Sequence, residues 1–364
     1  MASPRRSHRA PTIDAHDSST ANTTRATIDD DELESNANVM LEEVAERDVL
    51  YYRAYFAGEP HDNYVAMDKD SPLVVSIAND GVALDSSRKL IKVLLRTKKG
   101  DVRYSMESSH SGRAPRLKEF QKLAHLEHVN FTRMRSADAS KVLLDYEKKL
   151  LVTRYKFGVL YIDAGQEKAS ENEIYANTNT NNAFEKFLSV LGDKIDLKGF
   201  KGYTGGLNVR DGSTGKHSYY ATLASFEIMF HVAPLLPHQP DDAQQVERKR
   251  HLGNDVVVVV FLHPSVSNFD VTVFTSHFNS AFLFVKPTID GYHLECAYKS
   301  DLRVARPYFG ANSKLVGTPD EMRTFLLTKL INLERSGMSS AEFVGLDLRT
   351  RNLLLTDLVS TALK

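Results

Sequence analysis

The sequence predicts an α/β fold, α+β overall, in which strands and helices alternate in both halves of the folded chain. Short apolar runs alternate with segments whose apolar residues recur at helical spacing, which is typical of layered α/β proteins. Of the 364 residues, 42% are hydrophobic and 26% are charged. This composition favours a folded protein over a disordered or fibrous one, and the length corresponds to roughly two or three domains.

The first 45 residues predict a disordered tail. They are rich in Ser, Thr, Asn and Asp, and they pass from a basic start to the acidic run at 29–32 without any sustained periodicity. We expect the folded part of the chain to begin near residue 46.

The folded part is predicted element by element from its apolar patterns. In its first half we expect strands at 73–77, 90–95, 142–144 and 150–152, and a helix at 117–129. In its second half we expect strands at 157–161, 228–232, 256–262 and 281–285, and helices at 183–191, 325–333 and 346–358.

Charge and cysteine content exclude several classes of protein. Lys and Arg number 46 and Asp and Glu number 47, so the net charge is -1 and no global basic field favours a nucleic acid or an acidic membrane. The single cysteine, Cys296, excludes an internal disulfide and fits a reducing, cytoplasmic compartment. The longest apolar stretch, at 256–262, is far shorter than the roughly 20 residues of a membrane span.

Two candidate ligand sites in the sequence predict no bound group. His125 and His128 could share one face of a helix, but no third ligand stands at metal-binding spacing, so we expect no metal and no cofactor. Gly215 and Lys216 suggest a phosphate-binding loop of the form GxxxxGK[S/T]. Arg210 occupies the position of the first Gly, however, and His217 that of the hydroxyl residue. The chain is therefore predicted not to hydrolyse nucleotides by itself.

A basic segment at 248–255 is the most informative part of the sequence. Asp241 or Asp242 can cap a helix whose last turns carry the cationic residues, and Gly253 is the expected stop. The strand at 256–262 follows at once, so Asn254 is predicted to lie between two rigid elements. Taken alone, the pattern also fits an ordinary helix cap with a solvated basic face.

Six segments together resemble the Rap GTPase-activating protein family, in its Rap1GAP and SIPA1-like branch. They are KFGVLY at 156–161, LGDK at 191–194, LKGFKGY at 197–203, GGL at 205–207, EIMFHV at 227–232 and RKRHLGND at 248–255. Flanking segments near 51–64 and 325–332 resemble the family's supporting domain.

The resemblance implies a domain division and a partner. It implies a mostly β supporting and dimerisation domain with flanking helices, formed by 46–155 and 291–364, around a catalytic domain at 156–290 that is similar to a G domain without its nucleotide site. The implied partner is a GTP-bound Rap-type small GTPase, and the implied assembly is a homodimer. The protein would not be an enzyme itself, but would activate GTP hydrolysis by its partner.

The resemblance also implies the site residues. Asn254 matches the family's asparagine thumb, which positions the hydrolytic water in a GTPase that lacks its own Gln. The residues implied to contact the GTPase are Arg248, Lys249, Arg250, His251 and, less directly, Lys194. Two alternatives stay open: a scaffold that binds a GTPase without accelerating hydrolysis, and an activator of Ral or Rheb.

Overall fold

The structure, a computed structural model, describes residues 23–25, 40–41, 50–108, 113–135, 138–300, 302–309, 313–338 and 341–364. The chain forms two compact units. The large unit contains residues 1–42 and 153–340, and the small unit contains residues 43–152 and 341–364.

Strands and helices are numbered here in chain order. The strands are β1 (Thr23–Arg25), β2 (His61–Asp68), β3 (Ser71–Ala78), β4 (Val82–Ala83), β5 (Lys89–Thr97), β6 (Gly100–Ser108), β7 (Thr132–Arg133), β8 (Arg154–Ile162), β9 (Asp193–Asp196), β10 (His217–Leu223), β11 (Phe226–Val232), β12 (Val257–Leu262), β13 (Ala281–Pro287), β14 (Tyr292–Lys299) and β15 (Ser313–Leu315). The α-helices are α1 (Tyr51–Tyr55), α2 (Arg113–Leu123), α3 (Ala139–Leu150), α4 (Glu171–Tyr175), α5 (Asn182–Leu191), α6 (Val246–Leu252), α7 (Pro319–Met338) and α8 (Ala341–Ala362).

The large unit is built on one mixed sheet. Its strand order is β1-β14-β13-β12-β8-β11-β10-β9, and β15 also pairs with β14. The four central strands from β13 to β11 are parallel, whereas β14, β10 and β9 join antiparallel. β8 and β12 are buried along most of their length, which is the pattern of parallel strands covered on both faces.

The small unit is an antiparallel sheet with helices on both faces. Its order is β4-β5-β3-β2-β7, and β6 pairs with the other side of β5. Val74 and Leu94 pack with residues of α1, α3 and α8, whereas Val75 and Val93 pack with Phe120 of α2. Alternate residues of each strand therefore serve two separate apolar layers.

The predicted α/β fold class is confirmed, and most predicted elements lie where the apolar patterns put them. The strands predicted at 73–77, 90–95, 157–161, 228–232 and 281–285 all fall within observed strands. The predicted helices at 325–333 and 346–358 fall within α7 and α8. Helix α2 begins earlier than the predicted 117–129 and ends at Leu123.

Two strands predicted at 142–144 and 150–152 are wrong. Residues 139–150 form the helix α3, and residues 151–152 lie outside any strand. The buried residues Ala139, Leu143, Tyr146 and Glu147 recur at intervals of three and four, so one face of a helix is buried. The run of three adjacent apolar residues at 142–144 suggested a strand, because the helical spacing of three and four is recognised only in a longer window.

The tail and the domain division also differ from expectation. Most of residues 1–45 lie outside the described residues, but β1 pairs antiparallel with β14 at the edge of the large sheet. Residues 291–340 were predicted to join the supporting domain, yet they belong to the large unit. The reason is that β14 is hydrogen-bonded to β13 from Tyr292 to Tyr298.

Candidate functional site

A tight turn joins α6 to β12 and carries Asn254. The Gly253 N–H donates to the Lys249 carbonyl at 2.7 Å, and the Asn254 N–H donates to the His251 carbonyl at 3.2 Å. A Cβ on Gly253 would lie only 2.5 Å from the Lys249 oxygen. Glycine ends this helix because of that close approach, since its φ of -67° is an ordinary helical value.

The Asn254 side chain is exposed at the tip of this turn. Its Nδ2 donates to the Arg250 carbonyl at 2.7 Å. Within the described part of the chain, Oδ1 accepts no hydrogen bond. One N–H and the carbonyl oxygen of the carboxamide are therefore available to another molecule.

A buried polar network holds the turn from below. The Asp255 carboxylate, with no exposed surface, accepts from Lys156 Nζ at 2.6 Å and from His231 Nδ1 at 2.8 Å. Lys156 Nζ also donates to the main-chain carbonyl of Asn254 at 2.8 Å. The other ring nitrogen of His231 lies 2.9 Å from the Gly205 carbonyl, so both bonds form only when both nitrogens carry a hydrogen.

The loop before β13 satisfies the remaining carbonyls of the turn. Asn279 Nδ2 donates to the carbonyls of Leu252 at 3.0 Å and of Asp255 at 2.6 Å. Ser276 Oγ donates to the Gly253 carbonyl at 2.5 Å. With the Lys156 bond, four consecutive carbonyls of the turn accept from fixed side chains, so its backbone is held in one conformation.

Arg248 is predicted from the sequence to contact a partner, but the structure places its side chain inside the large unit. Its side chain is only 1% exposed. The guanidinium donates to the carbonyls of Tyr175 at 2.6 Å, Asn177 at 2.8 Å and Leu236 at 2.7 Å. Burial lowers the pKa of Arg248 to about 10, which still leaves it charged at neutral pH. Arg248 therefore fixes α6 to its neighbours from inside.

Lys249 and Arg250, the next two basic residues of α6, differ in how firmly their side chains are held by neighbours. Lys249 Nζ is held by Glu171 Oε2 at 2.9 Å and by Asn172 Oδ1 at 2.5 Å. Arg250 is exposed and pairs with Glu247, one turn before it on the same helix, at 2.7 Å. Such an exposed pair is weak and can exchange partners.

His251 is half-buried beside the network. Its ring lies 5.3 Å from that of His231, and its Nε2 is enclosed without a hydrogen-bond partner in the described residues. Burial, together with the nearby His231 and Arg250, lowers the pKa of His251. These surroundings favour the uncharged form of the ring.

Lys194 does not join this cluster. It lies exposed on the edge strand β9, opposite Tyr219 of β10. Strand β9 is four strands away from β12 in the sheet, which is roughly 19 Å at the usual strand spacing.

Sequence reasoning missed most of the supporting residues, although a signal for them was present. Lys156, Gly205, His231 and Asp255 come from four of the separate segments that carried the family resemblance. In the structure they meet in one hydrogen-bonded network. These four segments are separate in the chain, but they contribute to one site.

Comparison with known proteins agrees with this geometry. Residues 174–352 match the family model described as Rap/ran-GAP, and residues 48–154 match the model described as the Rap/Ran-GAP protein dimerization domain. The chain belongs to the Rap/Ran-GAP family. The first match contains the whole of α6 and the Asn254 turn, and the second covers most of the small unit.

Several curated proteins resemble this Rap/Ran-GAP chain over most of its length. Human "Signal-induced proliferation-associated protein 1" is 36% identical over 336 residues, covering 85% of this chain and 31% of that protein. "RapA guanosine triphosphatase-activating protein 1" of Dictyostelium discoideum is 28% identical over 384 residues, covering 86% and 36%. The chain thus spans about a third of the length of these relatives.

A solved structure titled "Structure of the TSC2 GAP domain" overlaps with half of this Rap/Ran-GAP chain. It is 28% identical, covers 50% of this chain and 97% of that one, and has a TM-score of 0.43.

The described residues contain neither a metal-binding cluster nor a helix that could cross a membrane. No group of three or more His, Cys, Asp or Glu residues stands close enough there to hold a metal ion, and His125 and His128 are both exposed. Among the described helices, none has the length and apolar character needed to cross a bilayer.

Proposed function

We propose that this chain is a GTPase-activating protein for a Rap-type small GTPase, with Asn254 as the residue that it inserts. The observation that carries the proposal is an exposed carboxamide on a backbone turn whose four carbonyls are all held by other side chains. Two relatives support it: the human protein matches most of the chain, and the Dictyostelium protein is named as an activator of the RapA guanosine triphosphatase.

The chemistry suits a carboxamide. Hydrolysis of a phosphoryl group by water depends on placing the water in line and stabilising charge on the transferred group. Asn254 retains one N–H donor and one carbonyl acceptor, so it can both accept from the water and donate to an oxygen. Neither Ala nor ionised Asp offers both.

The surface around Asn254 suits a partner that presents acidic groups and an apolar surface patch. Arg250 is exposed and can leave Glu247 for an acidic group of a GTPase, which would speed encounter and orient the thumb. Phe278, 40% exposed, lies two residues from Ser276, which bonds to the same turn. His251 contributes as a half-buried ring, and Lys249 would first have to leave Glu171.

The protein in this role supplies a residue in trans and does not hydrolyse GTP itself. It would act in the cytoplasm and reach membranes through its GTPase. The match of 48–154 to a dimerization-domain model supports a homodimer formed through the small unit. Light scattering at several concentrations tests this, and a monomer at micromolar concentration would reject it.

A panel of GTPases tests the activity. Single-turnover hydrolysis of GTP on Rap-, Ral- and Rheb-type GTPases is measured with increasing amounts of this chain. We expect the largest acceleration on the Rap-type protein. Acceleration confined to Ral or Rheb would change the target, and binding without acceleration on any of them would favour the scaffold alternative.

A further inference from the structure

A continuous chain of hydrogen bonds joins a second turn of the large unit, centred on Gly205, to the Asn254 turn. The Gly205 carbonyl lies 2.9 Å from His231 Nε2. The other ring nitrogen, Nδ1, lies 2.8 Å from Asp255 Oδ2. Lys156 Nζ then donates to Asp255 Oδ1 at 2.6 Å and to the Asn254 carbonyl at 2.8 Å. His231 is therefore the link between the two turns.

Two glycines leave room for this link. Gly158 of β8 lies between His231 of β11 and Val258 of β12 in the sheet. A Cβ on Gly158 would lie 3.3 Å from Asp255 Oδ2, and a Cβ on Gly205 would lie 3.1 Å from His231 Nε2. A side chain at either position would crowd the carboxylate or the ring. The two glycines therefore let the hydrogen-bonded groups approach each other across the central strand.

The bonding partners of His231 require a charged ring. Both are acceptors, one a main-chain carbonyl and the other a carboxylate, whereas a neutral imidazole carries a hydrogen on one nitrogen only. Asp255 also accepts from the Lys156 ammonium through its other oxygen, as an ionised carboxylate does. The His231 ring is only 1% exposed and Asp255 is fully buried, so solvent screens these opposite charges little. A further titratable neighbour is His251, whose ring is 5.3 Å away.

We propose that His231 is a positioning residue for Asn254 and acts as an imidazolium that joins the Gly205 turn to the Asn254 turn. The inference rests on the proposed function, since the residue that His231 positions is the one that the chain would insert. Without the hydrogen on Nδ1, Asp255 loses one of the two donors that orient its carboxylate. Without the hydrogen on Nε2, the ring is no longer anchored to the Gly205 turn.

Two conservative variants each remove one of these donors. In His231→Asn the amide nitrogen stands near the position of Nδ1, so the bond to Asp255 can form and the bond to Gly205 is lost. In His231→Gln the amide nitrogen can reach the position of Nε2, so the bond to Gly205 can form and the bond to Asp255 is lost. The matched control is His263→Asn, at a histidine that follows the other end of β12.

Both variants should lower the maximal stimulated rate on a Rap-type GTPase. We expect a fall of about tenfold to hundredfold, because a small misplacement of a reacting group has a cost of this size. The concentration for half-maximal stimulation should change by less than about twofold, since a buried ring makes no contact with the partner. His263→Asn should behave like the unmodified chain. A normal maximal rate for either His231 variant, or a change in half-maximal concentration alone, would overturn the inference.

A second measurement needs neither a variant nor a GTPase. Heteronuclear NMR of the unmodified chain, labelled with ¹⁵N in its histidines, shows at neutral pH whether each ring nitrogen of His231 carries a hydrogen. We expect a directly bonded hydrogen on both nitrogens. A hydrogen on one nitrogen only would overturn the inference, and this result holds even if a His231 variant does not fold.

The outcomes separate this inference from the proposed function. If the unmodified chain stimulates no GTPase, the proposed function is rejected, and the backbone amide signal of Asn254 then tests the link between the turns. That signal should shift in both His231 variants and stay unchanged in His263→Asn. An unchanged Asn254 signal in either His231 variant would overturn the inference and leave the proposed function intact.

Discussion

Lys156 Nζ lies 2.8 Å from the main-chain carbonyl of Asn254, although the two residues are 98 positions apart in the chain. The same ammonium is 2.6 Å from Asp255 Oδ1. A residue at the start of β8 therefore sets the backbone of the turn that carries the exposed carboxamide.

Asn254→Ala should abolish stimulated hydrolysis and preserve binding. Removal of the inserted group should cost about 10³-fold or more in the maximal rate, as the loss of other residues supplied in trans does. Single-turnover kinetics and binding to the GTP-loaded GTPase measure the two effects separately. Asn268→Ala, an exposed Asn elsewhere in the large unit, is the matched control. An unchanged maximal rate for Asn254→Ala would contradict the thumb role.

Lys156→Met should lower the maximal rate and leave the concentration for half-maximal stimulation nearly unchanged. Loss of the ammonium frees the Asn254 carbonyl, and a small misplacement of a reacting group can cost about 10²-fold. Lys168→Met, at an exposed lysine of the same unit, should behave like the unmodified chain. A change in half-maximal concentration alone would show that Lys156 serves binding instead.

Arg248→Met should destabilise the large unit. The change removes the donors to three buried carbonyls, each of which then lacks its partner, and we expect a loss of about 3 kcal/mol in the free energy of unfolding. Urea denaturation followed by circular dichroism gives the value. A loss below about 0.5 kcal/mol, the usual size for a surface change, would argue against the internal role.

Arg250→Ala should weaken docking without affecting the chemical step. Arg250 is exposed, so its removal should change the free energy of unfolding little. We expect the concentration for half-maximal stimulation to rise several-fold, with the difference shrinking at high salt. Titration of the GTPase at two ionic strengths measures this. A fall in maximal rate only would place Arg250 in the chemistry.

Glu334 should make the stability of the large unit depend on pH. Its pKa is raised from the ordinary 4.5 to about 8 in the folded chain, because of burial. The folded chain then holds a proton that the unfolded chain has lost, so the free energy of unfolding falls as pH rises from about 4.5 through 8. The full difference is on the order of 5 kcal/mol.

The measurement is urea unfolding of the unmodified chain and of Glu334→Gln at pH 5.5 and pH 8.5. The Gln variant lacks this ionisation, so its stability relative to the unmodified chain should rise with pH. An equal pH dependence in the two proteins would show that Glu334 keeps the same pKa on unfolding.

The apolar patterns predicted the strands correctly where the apolar runs were long. β8 and β12 carry nearly continuous apolar runs, and such runs indicate strands covered on both faces. The pattern failed at α3, where three adjacent apolar residues suggested a strand, because a helix that buries only one face is recognised from a longer window.

The candidate site was predicted in part. Residue types and order at 248–255 indicated a helix end, a glycine stop and an amide held between two elements. They could not distinguish the roles of Arg248 and Arg250. The sequence alone does not show which of two arginines two positions apart is buried and which is exposed. The structure places one inside the unit and the other on its surface.

By itself, the sequence determined the α/β class, the family and the local position of Asn254 after a helix, because these depend on periodicity and on residues close together in the chain. Only the tertiary structure decided that Lys156, His231, Asp255 and Asn279 hold that turn. These residues are far apart along the chain, and a hydrogen bond between them exists only once the sheet has ordered its strands.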